Sequence, residues 1–185
     1  MASQHQGFVG IGGVTNDPFL KRHMAAAGYE FRPQSNLSLN VDVHYSPDLG
    51  EADWKPLVEE LINEVHVSPD ISRINYAGRF GLTVFPVNFA ASNIETKVGF
   101  GTNIGLVNTS DDLQALDTEG SDERAVVAQH QMHPVFGFVL SGEVWSGPMG
   151  GRIRMDKMAY IENVNATTLE MKNNNVVMVD LMRKF

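Results

Sequence analysis

Ten consecutive residues of this chain, 37–46, alternate between apolar and polar side chains without a break. A repeat of two is the period of a β-strand, whose successive side chains point to opposite faces. A second segment, residues 73–84, repeats the pattern with arginines on its polar face. Each strand therefore separates an aqueous space from an apolar one, and the function of the chain depends on which medium lies on each side.

Length and composition limit the possible functions. A chain of 185 residues is expected to form one domain, here residues 7–185 after a flexible N-terminus of residues 1–6. A net charge of −8 argues against nucleic-acid binding, and the absence of cysteine excludes disulfides and thiolate metal sites. No apolar run approaches the roughly 20 residues of a membrane helix, so any membrane crossing must use strands. Residues 1–6 lack the features of a secretion signal.

The pattern along the chain predicts eight or nine strands joined by connections of very unequal length. One amphipathic helix is predicted over residues 53–65, inside a long loop at 47–70, and an acid-rich segment at 108–125 is interpreted as a second long loop. Pro86 is expected to end the fourth strand, and Asp156-Lys157 and residues 172–175 are interpreted as turns. The predicted strands are 7–14, 22–31, 37–46, 72–85, 97–107, 126–140, a hairpin over 150–168, and 176–185.

No residue pattern points to catalysis. His130 and His133 would point to opposite faces of a strand, so they do not form a metal pair. The glycine-rich run at 7–14 lacks the spacing of a phosphate loop, and glycines in a strand more often mark curvature or close packing. The acidic segment does not follow a calcium-loop pattern. We expect neither an enzyme nor a bound cofactor or metal.

Charged side chains recur on the polar faces of the strands, and they include Arg152, Arg154 and Glu162. If the strands close on themselves, these groups point inward and must form a paired or hydrated network. If the sheet is open, they are ordinary surface charges.

The chain resembles small bacterial outer-membrane β-barrels of the outer-membrane β-barrel domain family. The resemblance rests on the glycine-rich first strand, the turn Asn16-Asp17-Pro18-Phe19, the alternating strands, the segment Gly99-Phe100-Gly101 and the closing residues 181–185. It implies an all-β fold, a closed antiparallel up-and-down barrel of about eight strands, in a bacterial outer membrane. It also implies that Phe185 ends the strand that the insertion machinery recognises.

This interpretation assigns a place to each side chain. The lipid-facing set is Leu37, Leu39, Val41, Val43, Tyr45, Ile74, Phe80 and Leu82. The polar network of the lumen is Asn40, Asp42, His44, Arg73, Asn75, Arg79 and Lys97. Partner-facing loops carry Trp54, Leu57, Leu61, Asp111 and Asp112. The expected partners are the lipid bilayer and other envelope proteins or copies of the chain, in a structural or anchoring role without a wide pore.

Two alternatives remain open at this stage. A soluble lipocalin-like barrel would turn the apolar face of residues 37–45 inward, around a small apolar ligand, and its charges outward. A hydrolase on a β-sandwich is a third class, but no residues recommend it.

Overall fold

The chain folds into one closed barrel of eight antiparallel strands, which confirms the predicted fold class. A computed structural model describes residues 4–15, 22–46, 74–117, 124–165 and 168–185, and of residues 22, 110–117, 124–131, 162–165 and 168–170 it describes the backbone alone. Each strand pairs with its neighbours in sequence, and the last strand pairs with the first. The strands are β1 (Gln4–Val14), β2 (Arg22–Gln34), β3 (Leu37–Tyr45), β4 (Ile74–Ala91), β5 (Ile94–Asp117), β6 (Arg124–Ser146), β7 (Met149–Asn165) and β8 (Thr168–Lys184).

The two ends of the barrel differ. Three two-residue turns, at 35–36, 92–93 and 147–148, lie at one end together with both termini, and we call this the turn end. Gly147 has a φ of 60° and is followed by proline, the pattern of a type II′ turn, which matches the twist of the flanking strands. The strand ends on either side of the other connections, such as Tyr45 and Ile74, lie at the opposite end, which we call the loop end. No helix occurs among the described residues, and the predicted helix at 53–65 lies outside them.

The pairing register fixes the tilt of the strands. A row of paired residues followed once around the barrel returns to β1 ten positions further along. This row is His5, Phe31, Leu39, Leu82, Thr102, Phe138, Lys157, Asn175 and Thr15. Eight strands with this shift tilt by about 40° from the barrel axis. At about 3.3 Å per residue, His5 and Thr15 therefore differ in height along the barrel axis by about 25 Å. Each step of the row from one strand to the next rises by about 3 Å along this axis.

Polar or proline-containing segments that were expected to break strands lie within them, so these predictions were wrong. β4 continues past Pro86 because the register shifts between Val84 and Val87, and this bulge accommodates a residue without an N–H. β7 runs through Asp156-Lys157 and β8 through residues 172–175. Asp156, Lys172 and Asn174 point into the barrel, so their polarity reflects the interior and not a turn.

Much of the acid-rich segment 108–125 was also wrongly assigned as a loop, since residues 108–117 and 124–125 lie on strands and residues 118–123 are outside the described part. β5 reaches Asp117 and β6 begins at Arg124, and the two strands pair antiparallel up to these residues, with one register shift between Ser110 and Asp112. Such a ladder satisfies the backbone hydrogen bonds whatever side chains it carries, so the hairpin extends beyond the rest of the barrel. Asp111 and Asp112 therefore lie on a strand and not in a loop.

Candidate functional site

The polar faces of the strands meet inside the barrel. Asp42, His44, Arg79 and Lys97 are buried there, and Asn40 and Asn75 are half-buried. Asn40 packs above Gly81 on the next strand, where a Cβ atom would lie 2.4 Å from the amide oxygen of Asn40. Arg73 lies outside the described residues. The structure thus places the described members of the predicted polar set inside the barrel or at its inner edge.

Arginines and carboxylates alternate along the lumen in one continuous chain of ion pairs. Nη2 of Arg32 donates to both carboxylate oxygens of Glu143 at 2.7 Å, and its Nε donates to Glu30 at 2.7 Å. Nη1 of Arg152 donates to Glu30 at 2.9 Å, and its Nε donates to Asp180 at 2.7 Å. These bonds connect β2, β6, β7 and β8 across the interior.

The chain of ion pairs continues toward the loop end. Arg154 lies within 2.7 Å of Asp180 and donates to Asp42 at 3.1 Å. Arg79 donates to Asp42 at 2.8 and 3.0 Å and to Asp156 at 3.1 Å. Five carboxylates and four guanidinium groups therefore alternate in this chain. Buried charges are tolerated only with such pairing.

His44 joins this network to an apolar layer above it. Nη2 of Arg79 lies 2.6 Å from Nε2 of His44, and since arginine only donates, Nε2 accepts. The imidazole proton then lies on Nδ1, which faces the sulfur of Met24 at 3.3 Å. Met24 belongs to a buried apolar cluster that fills the loop-end part of the interior, together with Val14, Ala26, Ile74, Ala77, Val107, Val135, Met158, Tyr160, Val176 and Met178.

The side chains of the described residues fill the lumen. A cleft of about 10 Å³ lies among the charged groups around Asp42 and Arg152, and this volume suits about one water molecule. Trp145, Phe8 and Met182 pack against the turn-end part of the network, and the guanidinium of Arg152 lies 4.4 Å from the centre of the Phe8 ring. Apolar side chains therefore pack against the network in both halves of the lumen.

The outer surface has the opposite character. Leu39, Val41, Val43, Tyr45, Phe80 and Leu82 all point outward and are 43–66% exposed. Leu37, at the start of β3, is half-buried. Between the levels of Arg183 and Thr15, about 25 Å apart in height, the outward side chains are almost all apolar, and we call this surface the outer belt.

Ile74 was predicted on the outer face, and this prediction was wrong. It is 2% exposed and lies in the apolar cluster of the interior. The cause is a register shift between Ile74 and Tyr76, because a bulge interrupts strict alternation. Tyr76 restores the outward series.

Sequence reasoning missed five of the nine members of the ion-pair chain. Glu30, Arg32, Glu143, Asp156 and Asp180 were not assigned to the lumen. The signal was present as charges two residues apart, Glu30 with Arg32 and Arg152 with Arg154 and Asp156, since such residues share one face of a strand. Glu162 has no described side chain. Trp54, Leu57 and Leu61 lie outside the described residues.

The polarity of the barrel rules out the lipocalin-like alternative. That alternative required the apolar face of residues 37–45 to line a ligand cavity, but this face points outward. Among the described residues no group of histidine or carboxylate side chains is arranged to hold a metal ion.

Known proteins share this fold without sharing its sequence. No family model matches the chain, and no curated protein matches it. The crystal structure of Neisserial surface protein A superposes over 100% of both chains with a TM-score of 0.55 and 9% identity. The solution structure of outer membrane protein H from P. aeruginosa in DHPC micelles covers 98% of this chain and 99% of that one, with a TM-score of 0.54 and 12% identity. At the level of fold, the resemblance to small bacterial outer-membrane barrels is confirmed.

Proposed function

We propose that this chain is a bacterial outer-membrane protein that crosses the bilayer as an eight-stranded barrel. The observation that supports it is the inverted polarity, with an apolar outer belt about 25 Å high around a charged interior. A soluble protein would expose this continuous apolar surface to water, which is a strong liability for aggregation. In a bilayer the same surface contacts acyl chains, and the closed ladder leaves no unpaired edge at that depth.

Within the membrane, the barrel acts as an anchor that presents its loop end to partners. The hairpin of β5 and β6 supports this role, because residues 108–117 add roughly 30 Å of strand at the loop end. Its acidic residues include Asp111 and Asp112. The proposed partners are other envelope proteins or copies of the chain, contacted through this hairpin and through the loop that carries Trp54, Leu57 and Leu61.

The filled lumen supports a role other than solute transport or catalysis. The network and the apolar cluster leave space for about one water molecule in the interior cleft. We therefore expect purified protein in planar bilayers to produce no stable conductance steps. Reproducible steps of uniform size in 1 M KCl would contradict this part of the proposal.

Two measurements test the membrane assignment. The protein, expressed with a bacterial export signal, is expected in the outer-membrane fraction, and after purification in detergent it should migrate faster on gels when unboiled than when boiled. Circular dichroism should show β-structure before boiling. Monodisperse protein in buffer without detergent, with no difference between boiled and unboiled samples, would refute the proposal.

A further inference from the structure

One charged side chain interrupts the outer belt. Lys157 is exposed and points outward from β7, and among the described outward side chains of the belt it is the only charged one. Its position in the pairing row is two strands before Thr15, so it lies about 6 Å below the loop-end boundary of the belt. Within the part of the chain that the structure describes, Lys157 forms no ion pair. A lysine here needs either water or an anion.

Polar groups accompany Lys157 along the same row. Asn175 is its direct partner on β8, and the hydroxyl of Thr15 on β1 donates to the carbonyl of Asn175 at 3.2 Å. On these two strands the next outward residues toward the turn end are Met155 and Val177, and both are apolar. The boundary between polar and apolar surface therefore passes directly below Lys157.

An open groove of about 500 Å³ begins at this boundary and continues over the apolar surface. Phe138, Leu140, Met155 and Val177 line its apolar part, and Lys157 and Thr15 lie at its loop end. A positive charge above an apolar groove matches a molecule with a negative headgroup and a hydrocarbon chain. Lysine near a membrane surface extends its ammonium toward the headgroups and attracts anionic lipids.

We propose that this groove binds one lipid of the leaflet on the loop side whose phosphate headgroup carries a net negative charge. The ammonium of Lys157 donates to a phosphate oxygen, the hydroxyl of Thr15 lies beside the headgroup, and an acyl chain lies along Leu140 and Met155. A second copy of the barrel fits less well, because the described part of the outer belt carries no outward carboxylate to pair with Lys157. The inference rests on the proposed membrane location.

The test measures lipid preference in bilayers. Full-length protein is reconstituted in phosphatidylcholine vesicles, and the association of spin-labelled phosphatidic acid is compared with that of spin-labelled phosphatidylcholine with the same chains. We expect about a fivefold preference for phosphatidic acid, as for one lysine near a membrane surface. Lys157→Gln should reduce the preference severalfold, and Lys157→Arg should retain it. Thr102→Val, an outward substitution on β5 outside the groove, is the control and should leave it unchanged.

Further arms separate the possible occupants. Spin-labelled diacylglycerol, which lacks phosphate, should show no preference, and 10 mM inorganic phosphate should not displace phosphatidic acid. Equal preference in wild-type and Lys157→Gln protein would overturn the inference, as would displacement by free phosphate or a Lys157-dependent dimer without lipid preference. Unboiled samples that migrate fast on gels establish insertion in each variant. A protein that does not insert refutes the proposed function itself, whereas an inserted protein without lipid preference refutes only this inference.

Discussion

Removal of one arginine from the lumen should reveal how strongly the charges of the interior depend on one another. Arg79 is 1% exposed and donates to Asp42 at 2.8 and 3.0 Å and to Asp156 at 3.1 Å. Arg79→Gln leaves both carboxylates buried with one cation fewer. Removing one partner of a buried pair costs about 3–5 kcal/mol of unfolding free energy. We expect about 3 kcal/mol, because Asp42 keeps its bond from Arg154.

A second substitution should restore part of this loss. Without Arg79, the carboxylate of Asp156 loses its close partner, since Arg154 lies 3.7 Å from it. Asp156→Asn removes this poorly paired charge. The double variant Arg79→Gln/Asp156→Asn should therefore be more stable than the sum of the single losses by at least about 1 kcal/mol, the range found for residues in one ionic network. The control Arg183→Gln, at the exposed turn end, should change stability by less than about 0.5 kcal/mol.

The assay is reversible urea unfolding in detergent micelles, followed by tryptophan fluorescence and by the gel shift between folded and unfolded forms. Unfolding free energies of the four forms of the cycle give the coupling directly. Losses that add without coupling would refute the reasoning, because Asp156 would then not act as a charge partner of Arg79. A stable Arg79→Gln variant, within about 0.5 kcal/mol of wild type, would refute the assigned cost of the buried pair.

Three further predictions concern the outer belt, the packing below the network and the C-terminus. Phe80→Arg, in the middle of the belt, should lower the unfolding free energy in bilayers by about 2–4 kcal/mol. Tyr76→Arg, about 10 Å nearer the loop end, should lower it by about 1 kcal/mol or less. Urea unfolding measures both values, and equal losses would contradict the belt position. Gly150→Val should displace the Trp145 ring, which lies 2.6 Å from the added Cβ, and should lower the unfolding free energy by about 1–3 kcal/mol. In a Trp54→Phe background the displacement should shift the tryptophan emission maximum. An unchanged maximum would be contrary evidence. Phe185→Ala should reduce the amount assembled in the outer membrane of cells while refolding in detergent proceeds as in wild type, and normal assembly would argue against the insertion signal.

Much of the fold was predictable because alternation is a local property. A period of two needs no knowledge of the partner strand, so Leu39, Val41, Asp42 and His44 could be assigned to opposite faces from the sequence. Where a bulge adds a residue, the local rule fails, and Ile74 was placed on the wrong face for this reason. Polar composition also misled the assignment of turns, because strand segments that face the polar lumen contain the same residue types as turns do.

The partners within the lumen could not be predicted, because they depend on the closed register. Arg32 meets Glu143, which is 111 residues away, and Arg154 meets Asp42 at a separation of 112 residues. These pairs cross the interior between strands that are not neighbours, so no pattern along one strand encodes them. Only the ten-residue shift around the barrel brings them to similar heights.

The same dependence on register indicates what the ion-pair chain contributes to the fold. The outer belt is almost entirely apolar, so a shift of one strand by two residues would keep every apolar side chain outside and would cost the belt little. The interior would lose far more, since a shift of β2 would displace the bonds from Arg32 to Glu143 by about 6.6 Å along the strand, and a shift of β7 would displace the bond from Arg154 to Asp42 by the same distance. Buried charges that lose their partners are strongly destabilising. The apolar surface therefore determines which face of each strand is outside, whereas the arginines and carboxylates of the lumen select one register among those that the surface permits.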